Sequence, residues 1–309
     1  MSDYPTGFSR HGEVQVPDHS SLSTVIDCAR KYYYNYELGL EPKEPNLRML
    51  VGSGGHKAMQ VLYTEGFGAI DRALDAALSY ISGAGVHLPH PSMPWLTNGH
   101  ISVCLHNYVD AYAKEPYRVV HRIEQPLIRH ADDMDDGLGG IPDLIVEDAF
   151  GAKPVMDHKF TFSYLGASFY NRQKYSKQGK IYCILASEYY GEPLTAFVVN
   201  AIYMGEKAST AGSKAQRFDR FSFEFSAEEL REAEDWVRGA KDTIRFYRDD
   251  NMPGCGPDES GWPQNGGAHC GWCSFAPLCG ASPDLRPDII ERSFGVRQRR
   301  GLLLSGADD

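Results

Sequence analysis

Along the chain the apolar positions follow first a helical period and then a strand period. "SLSTVIDCARKYYYNYELGL" has serine and threonine starting signals before a mixed apolar and basic run, which predicts a helix carrying Cys28. In "GSGGHKAMQVLYTEG", His56, Met59, Gln60 and Tyr63 recur at i, i+3, i+4 and i+7 and share one helical face. Residues 68–82 and 96–114 read as helices separated by the proline-rich "HLPHPSMPW", so the first 115 residues are mostly helical. The period then shortens. "YRVVHRIEQPLIRH", "GGIPDLIVED" and "AKPVMDHKFTF" read as three strands of an antiparallel meander. A helix over Ser168 to Ser187, strands at "LTAFVVNAIYM" and "FDRFSFEF", and a long helix "SAEELREAEDWVRGAKDTIRFYRDD" complete the pattern. Residues 251–280 are rich in Gly, Pro and Cys and cannot build a core unaided, and there is no internal repeat. The expected fold is mixed α/β of the α+β kind, with a central mixed sheet flanked by helices. It is divided into a flexible start (1–20), a helical region (21–115), a core (116–250), a cysteine-rich segment (251–285) and a peripheral tail (286–309), within one integrated domain.

Strand parity gives the polar residues in these apolar runs a meaning. Side chains alternate faces, so Asp157 and Lys159 point one way and His158 the other. A short turn at "DAFGAK" brings Asp143, on the preceding run, beside Asp157. Two carboxylates placed like this form an oxygen site suited to Mg²⁺ or Mn²⁺, with Lys159 next to the ion and able to position a water. The competing reading is an i, i+2 charge pair on a solvated face, with Asp143 capping a turn after Pro142. "LIV" after Asp143 and "PVM" before Asp157 favour buried strands, where carboxylates seldom go unpaired.

The chain at this point resembles the PD-(D/E)xK nuclease superfamily, in particular its RecB-like branch, which includes the CRISPR-associated iron-sulfur exonucleases. "GSGGHKAMQ" is similar to the branch's Gly-x-x-x-His helix, "IPD" and "DHK" to its acidic and (D/E)xK elements, and "QGKIY" to its Gln-x-x-x-Tyr helix. Asp157 stands where this branch more often has Glu. The matches span roughly residues 21–280 in the family's order. The resemblance implies a restriction-endonuclease-like core. It also implies metal binding by His56, Asp143, Asp157 and the backbone carbonyl of His158, with Lys159 orienting the nucleophilic water. Gln178 and Tyr182, one helical turn apart, would support the site or touch the nucleic-acid backbone. Glu124 is a further acidic residue, read first as structural charge pairing.

"CGWCSFAPLC" sets Cys270, Cys273 and Cys279 at a spacing that can bring three thiolates to one metal centre. The fourth ligand is Cys28 or Cys255. The resemblance implies a [4Fe-4S] cluster with one cysteine from near the N-terminus, hence Cys28; Cys255 would instead make a compact four-thiolate zinc module. Cys104 and Cys183 lie in apolar helical contexts and read as core residues. Seven cysteines, an odd number, argue against a disulfide framework.

Composition narrows the partners. A formal charge of -10 excludes indiscriminate coating of nucleic acid or anionic membrane, while leaving room for a local basic groove. No apolar run approaches the roughly 18 to 20 residues of a membrane span, and the polar start lacks a signal-peptide core, so a cytoplasmic location is expected. "NRQKYSKQGK" offers Arg172, Lys174, Lys177 and Lys180 to a DNA backbone, with Tyr175 as a stacking platform, although a solvated helix face reads equally well. The resemblance implies a single-strand DNA exonuclease in recombination, repair or phage DNA metabolism. A different class, a catalytically idle nucleic-acid-binding or assembly subunit with a structural zinc or iron-sulfur centre, is disfavoured by the joint presence of Asp143, Asp157 and Lys159.

Overall fold

A computed structural model describes residues 16–121, 126–129, 137–209, 217–249 and 259–296. In chain order the first elements are α1 (His19–Asp27), α2 (Ala29–Tyr32), β1 (Leu40–Pro42), α3 (Leu47–Glu65), α4 (Ile70–Gly83) and α5 (Asn98–Ala111). Strands β2 (Arg118–His121), β3 (Leu127–Arg129), β4 (Leu138–Gly140), β5 (Leu144–Glu147) and β6 (Val155–Thr161) follow. The remainder is α6 (Ala167–Tyr175), α7 (Gln178–Tyr190), β7 (Ala196–Tyr203), β8 (Phe218–Glu224), α8 (Ala227–Arg248), α9 (Ala276–Gly280), α10 (Arg286–Ser293) and β9 (Phe294–Val296). The chain divides into two compact units, one of Pro45–Leu127 with Ile141–Leu230, the other of Met1–Glu44, Ile128–Gly140 and Arg231–Asp309.

The first unit is built on a mixed sheet which, among the described residues, has five strands in the order β2-β5-β6-β7-β8. All neighbours are antiparallel except β6 and β7. A parallel pair needs a crossover longer than a hairpin, and α6 with α7 supplies it. Leu144, Val146, Met156 and Val198 are buried together, with Tyr63, Tyr117 and Val119 packed against them. This is the central mixed sheet with flanking helices expected of a restriction-endonuclease-like core.

Two glycines set how closely the helices approach that sheet. A Cβ on Gly55 of α3 would meet the Phe160 ring at 2.5 Å, and one on Gly179 of α7 would meet the Phe197 ring at 2.5 Å. Phe160 shares a face of β6 with His158, whereas Phe197 is paired with Val155 and so shares the face of Asp157 and Lys159. Helices α3 and α7 therefore cover opposite faces, and each glycine adjoins a candidate site residue, His56 or Gln178.

In the second unit, Asp18 and Ser21 form a reciprocal capping box that starts α1. The helix expected to run through Cys28 is interrupted there: Cys28 is extended (φ -163, ψ 110) between α1 and α2. The Arg30 N–H, two residues on, donates to the Pro263 carbonyl at 3.0 Å, and Asn265 Nδ2 donates to the Asp27 carbonyl at 2.7 Å. Long-range partners thus take over where the helix stops. Trp262 is fully buried, its ring centroid 5.5 Å from that of Tyr32, 5.8 Å from Tyr33 and 5.3 Å from Tyr247.

Other expectations also change. The single helix over 168–187 is two, because Ser176 is extended (ψ 139) and its Oγ accepts from the Gln178 N–H at 3.2 Å. Of the residues read as a peripheral tail, 286–296 form α10 and β9, with β9 antiparallel to β1. β3 and β4 pair with each other, outside the main sheet. Residues 1–15 and 297–309, the acidic stretch 132–136, Glu124 and Cys255 lie outside the described residues.

Candidate active site

Asp143 ends the bend before β5. Leu144 pairs with Met156, so continuing that antiparallel register by one residue sets Asp143 beside Asp157. His56 reaches the same place from α3, its Nδ1 2.9 Å from Asp143 Oδ1. The second oxygen, Asp143 Oδ2, accepts the His158 peptide N–H at 2.6 Å. Lys159 Nζ lies 2.6 Å from Asp157 Oδ2 and donates to Gln178 Oε1 at 2.6 Å. Gln178 Nε2 in turn donates to the Tyr182 hydroxyl at 3.1 Å. Side chains from α3, the β5 edge, β6 and α7 are thereby brought together at neighbouring carboxylates, one set through hydrogen bonds to Asp143 and the other through the Asp157–Lys159 ion pair and its hydrogen bonds to Gln178 and Tyr182.

The electrostatics follow from burial and proximity. Burial works against ionised Asp143, but the His56 ring and the His158 peptide N–H outweigh it and hold the carboxyl down at about 2. Burial likewise disfavours charged His56, yet Asp143 and Asp157 raise its proton affinity above the ordinary imidazole value. Asp157 goes the other way: burial, reinforced by the Asp143 charge, raises its pKa despite the neighbouring Lys159. Its Oδ2 is buried, and no donor among the described residues is aligned on it. The ammonium at 2.6 Å neutralises charge without forming a well-directed hydrogen bond.

That imbalance bears on metal binding. A buried acceptor without an aligned donor, next to a second ionised carboxylate, favours a cation, and two carboxylates with an imidazole and a peptide carbonyl are hard donors of the kind Mg²⁺ and Mn²⁺ take. The residues fit such an ion. Among the described residues, no three His, Cys, Asp or Glu side chains stand in ligand geometry, whether here or at the cysteines; here His56 is engaged with Asp143 and Asp157 with Lys159.

The basic residues divide. Arg172, Lys174 and Tyr175 are exposed on α6, with Lys174 Nζ 5.9 Å from the Tyr175 ring centroid, and Lys177 is half-buried. Lys180 turns inward: it is buried, 3.4 Å from Glu229 and 5.4 Å from the Phe225 ring centroid, so it is not part of a surface groove. Residues passed over in the sequence lie on the α3 face, where Asn200, Arg220, Glu115 and Tyr108 form a polar network around His158. The available signal was an asparagine inside the apolar run "FVVNAIY".

In the second unit, Cys28 is buried, Cys273 and Cys279 are half-buried and Cys270 is exposed. Burial raises the Cys279 thiol pKa; Arg30 opposes this, while Cys28 and Cys273, both near enough to act on it, add to it. Cys104 and Cys183 are core residues of the first unit, and burial pushes the Cys104 thiol up to about 12.

The sequence matches the family model of the PD-(D/E)XK nuclease superfamily over residues 19–280, and the chain belongs to that superfamily; it is a nuclease by family. Among solved structures it is similar to a "putative exonuclease" from Eubacterium rectale, at 12% identity over 79% of this chain and 85% of that one, with a TM-score of 0.47. It is also similar to the structure named SSO0001, at 15% identity over 88% of each chain, with a TM-score of 0.39. No curated protein matches the sequence. No described helix is long and apolar enough to cross a membrane.

Proposed function

We propose that this nuclease is a Mg²⁺- or Mn²⁺-dependent DNA exonuclease acting on single-stranded DNA, in recombination, repair or phage DNA metabolism. The observation that carries the reading is the continuous contact from Asp157 through Lys159 and Gln178 to Tyr182, beside the His56–Asp143 pair. His56, Asp143, Asp157 and the His158 carbonyl would hold the ion. When bound, such an ion neutralises phosphate charge and lowers the pKa of a coordinated water. Lys159, paired with Asp157 and steered by Gln178 Oε1, directs an N–H at the attacking water or at the charge that develops on the phosphate. Tyr182 fixes the Gln178 amide. Arg172, Lys174, Lys177 and Tyr175 lie along α6 and the turn after it, where a strand's phosphates and bases meet cations and a ring.

The cysteines in this proposal bind a structural [4Fe-4S] cluster through Cys28, Cys270, Cys273 and Cys279. The helix break that sets Cys28 apart and the nearness of Cys28 and Cys273 to Cys279 are what support it. Four thiolate ligands leave no open position for hydrolysis, so phosphodiester cleavage stays with the carboxylates. Anaerobically purified protein is expected to be brown, with about four irons per chain; colourless protein with stoichiometric zinc would replace this centre with the zinc module that uses Cys255. End-labelled single- and double-stranded DNA, incubated with Mg²⁺, Mn²⁺ or EDTA, tests the activity. Expected are stepwise shortening of the single strand with metal and none with EDTA; cleavage that persists in EDTA would refute the metal dependence.

A further inference from the structure

Asn200 interrupts the apolar strand β7 and is fully buried. In the ladders it stands opposite His158 of β6 and opposite Arg220 of β8, so the three side chains form a row across one sheet face. Arg220 is fixed first. It grips both Glu115 oxygens at 2.7 Å, donates to the Tyr63 hydroxyl at 2.8 Å and the Tyr108 hydroxyl at 2.9 Å, and lies 3.7 Å from the Tyr112 ring centroid.

A guanidinium offers donors only, so its Nε, 3.2 Å from Asn200, turns the amide oxygen toward itself and the amide nitrogen away. Asn200 Nδ2 then donates to the Tyr108 hydroxyl at 2.7 Å and to His158 Nδ1 at 2.8 Å. Because Nδ1 accepts, the ring proton of His158 must sit on Nε2, which is buried with no hydrogen-bond partner among the described residues. The bond the ring accepts at Nδ1 is thus its one side-chain hydrogen bond among the described residues. The main chain of this same residue donates to Asp143 Oδ2 at 2.6 Å.

We infer that Arg220 and Asn200 are positioning residues for the metal site: by holding His158 as the Nε2-protonated imidazole, they fix the peptide whose N–H binds Asp143 and whose carbonyl would be offered to the cation. The inference rests on the carboxylate site being the metal site of the proposed function. Outer partners of this kind orient the groups that touch a metal, and their loss typically weakens metal binding about 10- to 100-fold.

The test is a long-range ¹H–¹⁵N spectrum of the full-length protein labelled with ¹⁵N-histidine, with the His158 signal identified by its loss in His158→Phe. Wild type is expected to show the Nε2–H pattern at neutral pH. In Asn200→Asp a carboxylate faces Nδ1, and the proton pattern is expected to move to Nδ1–H. Arg220→Lys keeps a cation for Glu115 but loses the directed Nε donor, and is expected to give mixed tautomers. Both variants, checked for folding by circular dichroism, should bind Mn²⁺ about 10- to 100-fold more weakly by electron paramagnetic resonance titration, and should lower kcat for DNA while leaving KM near wild type. A wild-type Nδ1–H tautomer, or folded variants with unchanged tautomer and Mn²⁺ affinity, would overturn the inference. Wild-type protein with the expected tautomer that neither binds Mn²⁺ nor cleaves DNA would sink the functional reading instead.

Discussion

In the sheet unit each candidate site side chain is placed by or next to regular structure: Asp157 and Lys159 by strand parity, Asp143 one residue before the β5 ladder, and His56 and Gln178 by helices whose glycines lie against phenylalanine rings. In the cysteine unit two of the four candidate sulfurs sit where regular structure stops, while Cys279 lies within the short α9. Cys28 occupies a helix break, and Cys273 is extended at the end of a short turn before α9. A hydrogen-bonded sheet can hold like charges together and absorb the electrostatic cost.

The largest expected effect falls on the sheet unit alone. Asp157→Ala and Lys159→Ala should each lower the cleavage rate by about 10²- to 10³-fold, with iron content unchanged, as measured on end-labelled DNA and by iron analysis. Cys28→Ser should do the reverse: most of the iron is lost and the thermal midpoint falls, corresponding to on the order of 3 kcal/mol. Retention of full iron by that variant would remove Cys28 from the ligand set. Gly179→Ala probes what seats Gln178. Its Cβ would meet the Phe197 ring at 2.5 Å, and the expected cost is about 1–3 kcal/mol in urea unfolding, a value near zero meaning that α7 is free to shift. The smallest effect concerns substrate. Arg172→Ala and Lys174→Ala should each reduce the slope of log affinity against log salt by roughly 1, without changing kcat at saturating DNA.

Period and parity carried much of this architecture into view from the sequence. The alternation in "VMDHK" already put Asp157 and Lys159 on one face, and the fourfold spacing in "QGKIY" put Gln178 and Tyr182 on one helix edge, where they hydrogen bond. What stayed hidden depends on distant partners. No local signal reports that Pro263 claims the Arg30 N–H and interrupts a helix at Cys28. Lys180 reads as a surface cation, but α7 is buried along most of its length and folds that side chain against Phe225 and Glu229. Asn200 was visible only as a polar residue in an apolar strand; its role emerges from Arg220 and His158 on the flanking strands.

The central claim, that phosphodiester cleavage belongs to the carboxylate and lysine site, is tested most directly by one paired assay. Wild type and Lys159→Ala, matched for iron content and for circular dichroism, are compared for Mg²⁺-dependent release of nucleotides from end-labelled single-stranded DNA. The account predicts release by wild type and a rate lower by about 10²- to 10³-fold in the variant. Equal rates from two folded, equally iron-loaded proteins would contradict it.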